Sequence, residues 1–426
     1  MIEPLAPLVV CDLTQSYSPT GAGGITTYLR RKKQFVLEHT PHTLIQIVPG
    51  PKDAVFEEER YKRIEVGSDL VKGSPNYRFI LRTGAVRQVL EEQRPDIIES
   101  LCPWLLPWTA IRYRRAFPET TLVAGYRTDF PNAQVYRVAH DLYGPKVASF
   151  ARWLILGYAE VMYREFDQVY AIGESGKGVL ESRKIKDVKL LDLGIDSQRF
   201  HPRHRNEAAR AEMGHTGDGP LLLYAGRLDA EKRPETLVRM MDHLPDDLGA
   251  TLVLLGEGRG EARIREMAQG KRITMPGYID DRDLMARALA SADIYVSGMA
   301  DETFGMSVLE AQASGLPVVG VASGAMPERV EPGTGLLGPV EDDAAMARNV
   351  HDVWNGDHKA MGAAARALVE RRYSWEKTFT ELFQDIYPAA QEKMRERRRL
   401  ARRDYWTHHI TRPFGDRKGA GTFSPG

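Results

Sequence analysis

Cysteine is almost absent, with only Cys11 and Cys102 among 426 residues. Two isolated thiols exclude a disulfide framework, and neither has a cysteine or histidine neighbour at metal-ligand spacing. A reduced, cytosolic compartment is expected. An excess of one charge is also missing, since 58 Lys and Arg balance 58 Asp and Glu. The molecule as a whole therefore has no bias toward nucleic acid. No apolar run approaches the length of a membrane span. The first twelve residues lack the basic start and long apolar stretch of a secretory signal, and residues 8–11 read as a first strand. The expectation is a soluble cytoplasmic protein. At 42% hydrophobic and 27% charged residues the composition is globular, and the length calls for two domains.

Short β-branched runs alternate with helical segments, the pattern of parallel βαβ units. In the first half the predicted strands are 8–11, 43–48, 96–100, 121–126, 168–172 and 189–193, with helices at 25–38 and 77–93. A polar stretch at 196–219, including His201-Pro202, has the composition of a linker. The second half restarts with strands at 221–225, 251–255, 272–275, 294–297 and 317–321. Helices are predicted at 234–243, 261–269, 281–291 and 307–314, and Gly315 is placed to end the last. The fold class is α/β, two doubly wound Rossmann-like sheets in tandem. The expected domains are 1–200 and 201–373, each Rossmann-like. A helical crossover with a basic segment follows at 374–404, then a loose tail at 405–426. Ligands of such sheets sit beyond the strand ends, so the loops there hold the candidate chemistry.

The strongest of these loops is the run Glu302-Thr-Phe-Gly-Met-Ser-Val-Leu-Glu310, between a strand and a helix. Gly305 lets the backbone approach a ligand, and the free N–H groups of the helix start favour phosphate. Glu310 suits the two hydroxyls of a ribose, and Glu302 suits sugar hydroxyls. After strand 221–225 comes Gly226-Arg227-Leu-Asp-Ala-Glu-Lys232. Arg227 as a fork and Lys232 as a point charge would stabilise a diphosphate leaving group, a task otherwise given to a divalent metal. No convincing D-x-D loop for such a metal is present. Gly256-Glu-Gly-Arg-Gly260 follows another strand, and with Tyr278 and Ile279 it reads as the wall of a nucleobase pocket. The acidic partner of a dinucleotide fingerprint is missing. In the first half, the loop with Gly23 and Gly24 precedes a helix. It reads either as a flap over the donor phosphates or as a plain turn. Arg127 and Asp129 follow strand 121–126 and are candidates for acceptor or sugar contact.

Together Gly226–Pro234, Gly256–Gly260, Glu302–Glu310 and the following Ala-Ser-Gly-Leu-Pro-Val-Val-Gly resemble the family-four retaining glycosyltransferases of GT-B fold. The resemblance implies two Rossmann-like domains facing a cleft, no required metal or cofactor, and a nucleotide-sugar co-substrate held mainly by the second domain. It also implies that Arg227 and Lys232 bind the diphosphate and Glu310 the ribose. Glu302, Phe304, Gly305 and Met306 would then face the sugar and phosphates. It further implies an interdomain crossing at 196–201 and a helix from Ser374 that returns to the first domain. Many lipid-acting members carry histidine where this chain has Arg127, which is always charged and is no tunable acid or base.

The activity expected is transfer of a hexose, mannose or glucose first, to a lipid or glycan acceptor, with Arg227, Lys232 and Glu302 as the catalytic set. The alternatives are a nucleotide-sugar epimerase or hydrolase of the same fold, a non-catalytic sugar-nucleotide binder, or a dinucleotide-dependent oxidoreductase. The basic segment at 393–406 reads as a solvated helix end or as a contact for an anionic membrane.

Overall fold

Parallel strands covered on both faces appear in sequence as unbroken apolar runs. Leu221–Ala225 is such a run, and so is Thr251–Leu255 after its first residue; both strands are buried along their whole length. They lie at the centre of the second of two sheets in a computed structural model, which describes residues 6–15, 17, 24–71 and 74–410.

The first sheet uses β1 (Val9–Leu13), β2 (Thr43–Gly50), β3 (Ala54–Glu58) and β4 (Tyr61–Gly67). A small pair, β5 (Leu70–Val71) and β6 (Ser74–Arg78), stands apart from it. The sheet continues with β7 (Ile97–Ser100), β8 (Thr121–Tyr126), β9 (Gln168–Ala171) and β10 (Lys189–Leu190). Its order is β10-β9-β8-β7-β1-β2-β4-β3, parallel throughout except for β3 against β4. The second sheet contains β11 (Leu221–Ala225), β12 (Thr251–Leu255), β13 (Ile273–Gly277), β14 (Ile294–Val296), β15 (Val318–Val321) and β16 (Gly335–Gly338). Its order, β13-β12-β11-β14-β15-β16, reverses between β11 and β14. A doubly wound sheet opens its ligand crevice at that reversal.

Several expectations shift. Thr83–Gln93 is the helix, not 77–93, because Ser74–Arg78 pairs as a strand. The polar stretch at 196–219 is no free linker. It holds the helix Glu207–Glu212, and Arg205 and Arg210 both ion-pair with Asp293 at 3.0 Å, fastening it to the second lobe. The last helix, Tyr387–Ile410, runs beyond residue 404, and 411–426 lie outside the described residues.

The chain crosses between lobes twice, and the crossings touch. The Ile195 N–H donates to the Tyr373 carbonyl (2.9 Å), and a Cβ on Gly194 would lie 2.2 Å from the Trp375 nitrogen. Ser374 caps the returning helix by accepting from the Lys377 N–H (3.1 Å). Phe379 then packs on Tyr28 (5.3 Å between centroids) and Phe35 (5.5 Å) of the first lobe.

Beneath this contact Lys32 is wholly buried. It ion-pairs with Asp12 and with Glu99 (2.5 Å) and donates to the Tyr387 hydroxyl (2.7 Å). Glu99 also accepts from Tyr28 (2.9 Å) and Tyr170 (2.5 Å). Burial raises the Asp12 carboxyl to about 6, against the pull of Lys32 and with Glu99 adding to the rise. Burial opposes the Glu99 charge as well, but Lys32 and its hydrogen-bond donors hold that carboxyl at about 2. The two act in opposite senses on stability. Asp12, whose folded value is raised, contributes stability fully present below its ordinary 3.8 and lost as pH rises through about 6. Glu99, whose folded value is depressed, contributes stability present above its ordinary 4.5 and lost as pH falls toward about 2. Asp12→Asn removes only the first. Its melting temperature relative to wild type is expected to rise between about pH 4 and about pH 7. A difference that stays flat across that range would refute the assignment.

Candidate active site

The crevice at the β11/β14 reversal is one wall of a cavity of about 760 Å³ between the two lobes. The loop after β11 brings Gly226, Arg227 and Lys232, and the loop after β14 brings Glu302, Phe304 and Gly305. Met306 and Glu310 follow on the helix Met306–Ala313. Gly256, Tyr278 and Ile279 complete the second lobe's part, and Gly24 and Arg127 enter from the first. Of the residues selected from sequence, Gly23, Asp129, Gly258 and Gly260 are not in this set. Gly23 lies outside the described residues. Asp129 does not border the cavity. Its carboxylate accepts from the Tyr126 hydroxyl (3.0 Å) and the Asn132 amide (2.5 Å), and so fixes the turn into the next helix.

Local geometry explains the residue types. Gly305 has φ +85°, a left-handed conformation that glycine adopts without strain, immediately before the helix start. Glu302 accepts from the Gly305 N–H (3.1 Å) and stands 3.5 Å from the Lys232 ammonium, which also touches the Met299 sulfur (2.8 Å). Arg227 is 61% exposed and ion-pairs with Asp229 and Glu231. Exposed pairs of this kind contribute about 0–1 kcal/mol, so an arriving dianion competes easily for the guanidinium. Glu310 is mostly buried, and burial raises its carboxyl against the opposing charge of its partner Arg282. Arg282 lies over the Phe200 ring at 4.9 Å.

The Gly256–Gly260 glycines have a different reason from the one read in the sequence. A Cβ at Gly256 would sit 1.9 Å from the Gly226 carbonyl oxygen, and Cβ atoms at Gly258 and Gly260 would meet the Leu228 backbone at 2.5 and 2.6 Å. They let the loops after β11 and β12 lie one on the other, and only Gly256 among them borders the cavity. Phe304 borders it too, yet its ring is buried against the Arg329 guanidinium (4.3 Å) and Tyr373 (6.2 Å).

Arg127 is buried at the first lobe's edge of the cavity. Its guanidinium lies 4.0 Å from the Tyr28 ring and donates to the Tyr170 hydroxyl (3.3 Å), which links it to Glu99. Its Nε has no partner among the described residues.

Sequence reasoning missed the groups that join the lobes. Arg137 of the first lobe ion-pairs with Glu231, so one carboxylate serves Arg227 and the opposite lobe together. Arg329, fully buried, donates to the carbonyls of Phe304 (2.7 Å) and Ile172 (3.1 Å) and to the Tyr373 hydroxyl (3.1 Å). Glu328 accepts from the Glu174 N–H (3.0 Å) and the Ser175 N–H (3.3 Å) at the start of a first-lobe helix. No local pattern marks these residues, because their partners in the opposite lobe lie more than 90 positions away. Among the described residues no group of three or more His, Cys, Asp or Glu side chains is arranged to hold a metal.

Known proteins share this fold. Sucrose-phosphate synthase from Thermosynechococcus elongatus superposes with a TM-score of 0.72 at 21% identity, over 90% of this chain and 100% of that one. The architecture is GT-B, and the chain is a glycosyltransferase. Within that class, residues 205–368 match the family glycosyl transferases group 1, a span that contains every cavity residue from Gly226 to Glu310. The GDP-mannose-dependent alpha-(1-6)-phosphatidylinositol dimannoside mannosyltransferase of Mycobacterium tuberculosis is 27% identical over 86% of this chain and 93% of its own length. Sulfoquinovosyl transferase SQD2 of Arabidopsis thaliana is 28% identical over 70% of this chain, which spans only 57% of that protein.

Proposed function

We propose that the chain moves a hexosyl group, with retention, from a nucleoside-diphosphate sugar to a lipid or glycan acceptor. The observation that carries this reading is the meeting of Arg227, Lys232, Glu302 and Glu310 in one interlobe cavity. Arg227, Lys232 and the helix start beyond Gly305 offset the charge that builds on the departing diphosphate, without calling on a divalent ion. Glu310 holds the ribose, and Glu302, fixed by the Gly305 N–H and Lys232, takes the sugar hydroxyls. The acceptor attacks from the face the diphosphate leaves, and a phosphate oxygen takes its proton. Catalysis then rests on positioning and charge stabilisation. Lobe closure keeps water from the donor. No cofactor beyond the nucleotide-sugar is needed.

GDP-mannose is the first donor to test, because the mycobacterial relative is GDP-mannose-dependent, and UDP-glucose is the second. That relative's phosphatidylinositol dimannoside favours a lipid acceptor. The test is a melting-temperature screen with GDP, UDP and ADP, followed by donor consumption with and without acceptor. One nucleotide is expected to raise the melting temperature by mass action, and consumption is expected to require acceptor. No shift with any of them would sink the reading. Acceptor-independent breakdown would point to a hydrolase.

A further inference from the structure

The helical hairpin at 137–163 exposes an apolar face that no part of the described chain covers. Its helices, Arg137–Tyr143 and Pro145–Tyr163, meet at Gly144 with φ +82°. The longer helix is apolar on both sides. Ala148, Leu156, Ala159 and Met162 are buried, while Val147, Phe150, Trp153 and Leu154 face solvent. Phe150 and Trp153 are each 60% exposed and stack on one another at 5.9 Å. Leu142 (66%) and Tyr143 (70%) extend the strip to the hairpin tip. A helix apolar all round belongs against a second apolar surface, and clustered exposed aromatics mark a docking face.

Charge indicates what that surface is. From residue 142 to 159 the chain carries Lys146 and Arg152 and no carboxylate, although 58 of its 426 residues are acidic. Exposed Trp and Tyr beside a lysine are the chemistry of a bilayer interface with anionic headgroups. The hairpin's two carboxylates, Asp141 and Glu160, flank this stretch, and Glu160 is taken by Arg164 (2.7 Å). A second copy seated here by twofold symmetry would therefore bring like charges together along the strip itself. The basic C-terminal helix is less suited, since Lys393 and Arg397 are engaged by Asp187 (2.5 Å) and Asp167 (3.0 Å) within the chain. The strip also adjoins the cleft, because Arg137, at the start of the hairpin, pairs with Glu231 beside Arg227.

We propose that this hairpin face docks on an anionic lipid bilayer and sets the rim of the cleft at the interface. That docking delivers a lipid-anchored acceptor rests on the transferase reading above, but the docking itself does not.

The test is flotation of the full chain with phosphatidylglycerol–phosphatidylcholine vesicles and with phosphatidylcholine vesicles alone. Wild type is expected to float with the anionic vesicles. The combined variant Phe150→Gln, Trp153→Gln, Leu154→Gln is expected to lose roughly tenfold or more of that binding. Lys146→Glu is expected to weaken binding to the anionic vesicles only. Both variants should keep the wild-type melting temperature, because they alter exposed positions, and should keep its shift with nucleoside diphosphate. Wild type that ignores both vesicles, or a triple variant that floats like wild type, would overturn the proposal. So would a wild-type dimer in light scattering that the triple variant dissociates without any vesicle binding. Loss of the nucleotide shift in wild type would count against the transferase reading instead.

Discussion

Lys232→Ala is expected to lower turnover by roughly 100- to 1,000-fold, the usual cost of removing one preorganised group that stabilises developing charge. Its melting temperature is expected to move by no more than about 3 °C. The contrast follows from what Lys232 touches. Its ammonium meets the Glu302 carboxylate at 3.5 Å and the Met299 sulfur at 2.8 Å at the border of the cleft. A partly exposed pair of that kind stabilises the fold by about 1 kcal/mol at most. The same charge, facing a diphosphate whose bond to the sugar is breaking, acts where water is excluded and its effect is far larger. Steady-state kinetics beside a melting curve separates the two contributions. Wild-type turnover in a folded Lys232→Ala protein would remove the lysine from the mechanism, and a large fall in melting temperature would make its role structural.

Lys32→Met is expected to do the reverse and strike stability first, by about 3–5 kcal/mol. The cation is enclosed with Asp12 and Glu99, so its removal leaves two carboxylates facing each other out of reach of water. Domains of ordinary stability have about 5–15 kcal/mol in all, so the loss amounts to a large part of the total. Tyr387, on the helix that returns from the second lobe, shares the cluster, and its hydroxyl loses one partner. Urea unfolding is expected to show a markedly lower midpoint, and limited proteolysis is expected to cut first near the returning helix. A midpoint within experimental error of wild type would show that the cluster adds nothing net.

The second sheet was readable because its inner strands are buried on both faces. Residues 221–225 and 252–255 are apolar runs, and the structure makes 221–225 and 251–255 the strands β11 and β12, with the bounds read from sequence. The glutamate and cation motifs were readable because each follows such a strand, where a doubly wound sheet exposes its loops. What stayed hidden depends on partners distant in sequence. β3 and β4 escaped because Ala54–Glu58, at the sheet's edge, is largely exposed, and Tyr61–Gly67 beside it mixes charged with apolar residues. Asp129 looked like a crevice residue by position, yet its local hydrogen bonds to Tyr126 and Asn132 prevail. Arg329 stands in an unremarkable stretch, and only the folded chain brings it to Ile172, 157 residues earlier. The exposed hairpin was passed over for the opposite reason. Its helices are apolar enough to suggest core, and only solvent accessibility shows that half of that surface faces outward.

Gly194 leaves no room for a side chain where the outgoing and returning peptides meet. Both covalent links between the lobes therefore pass through nearly the same point, as the two leaves of a door share one hinge pin. Rotation about that point displaces the far lips of the cleft most and its floor least. Substrate can then enter and leave by a swing that opens the gateway while the crossing peptides keep their contact.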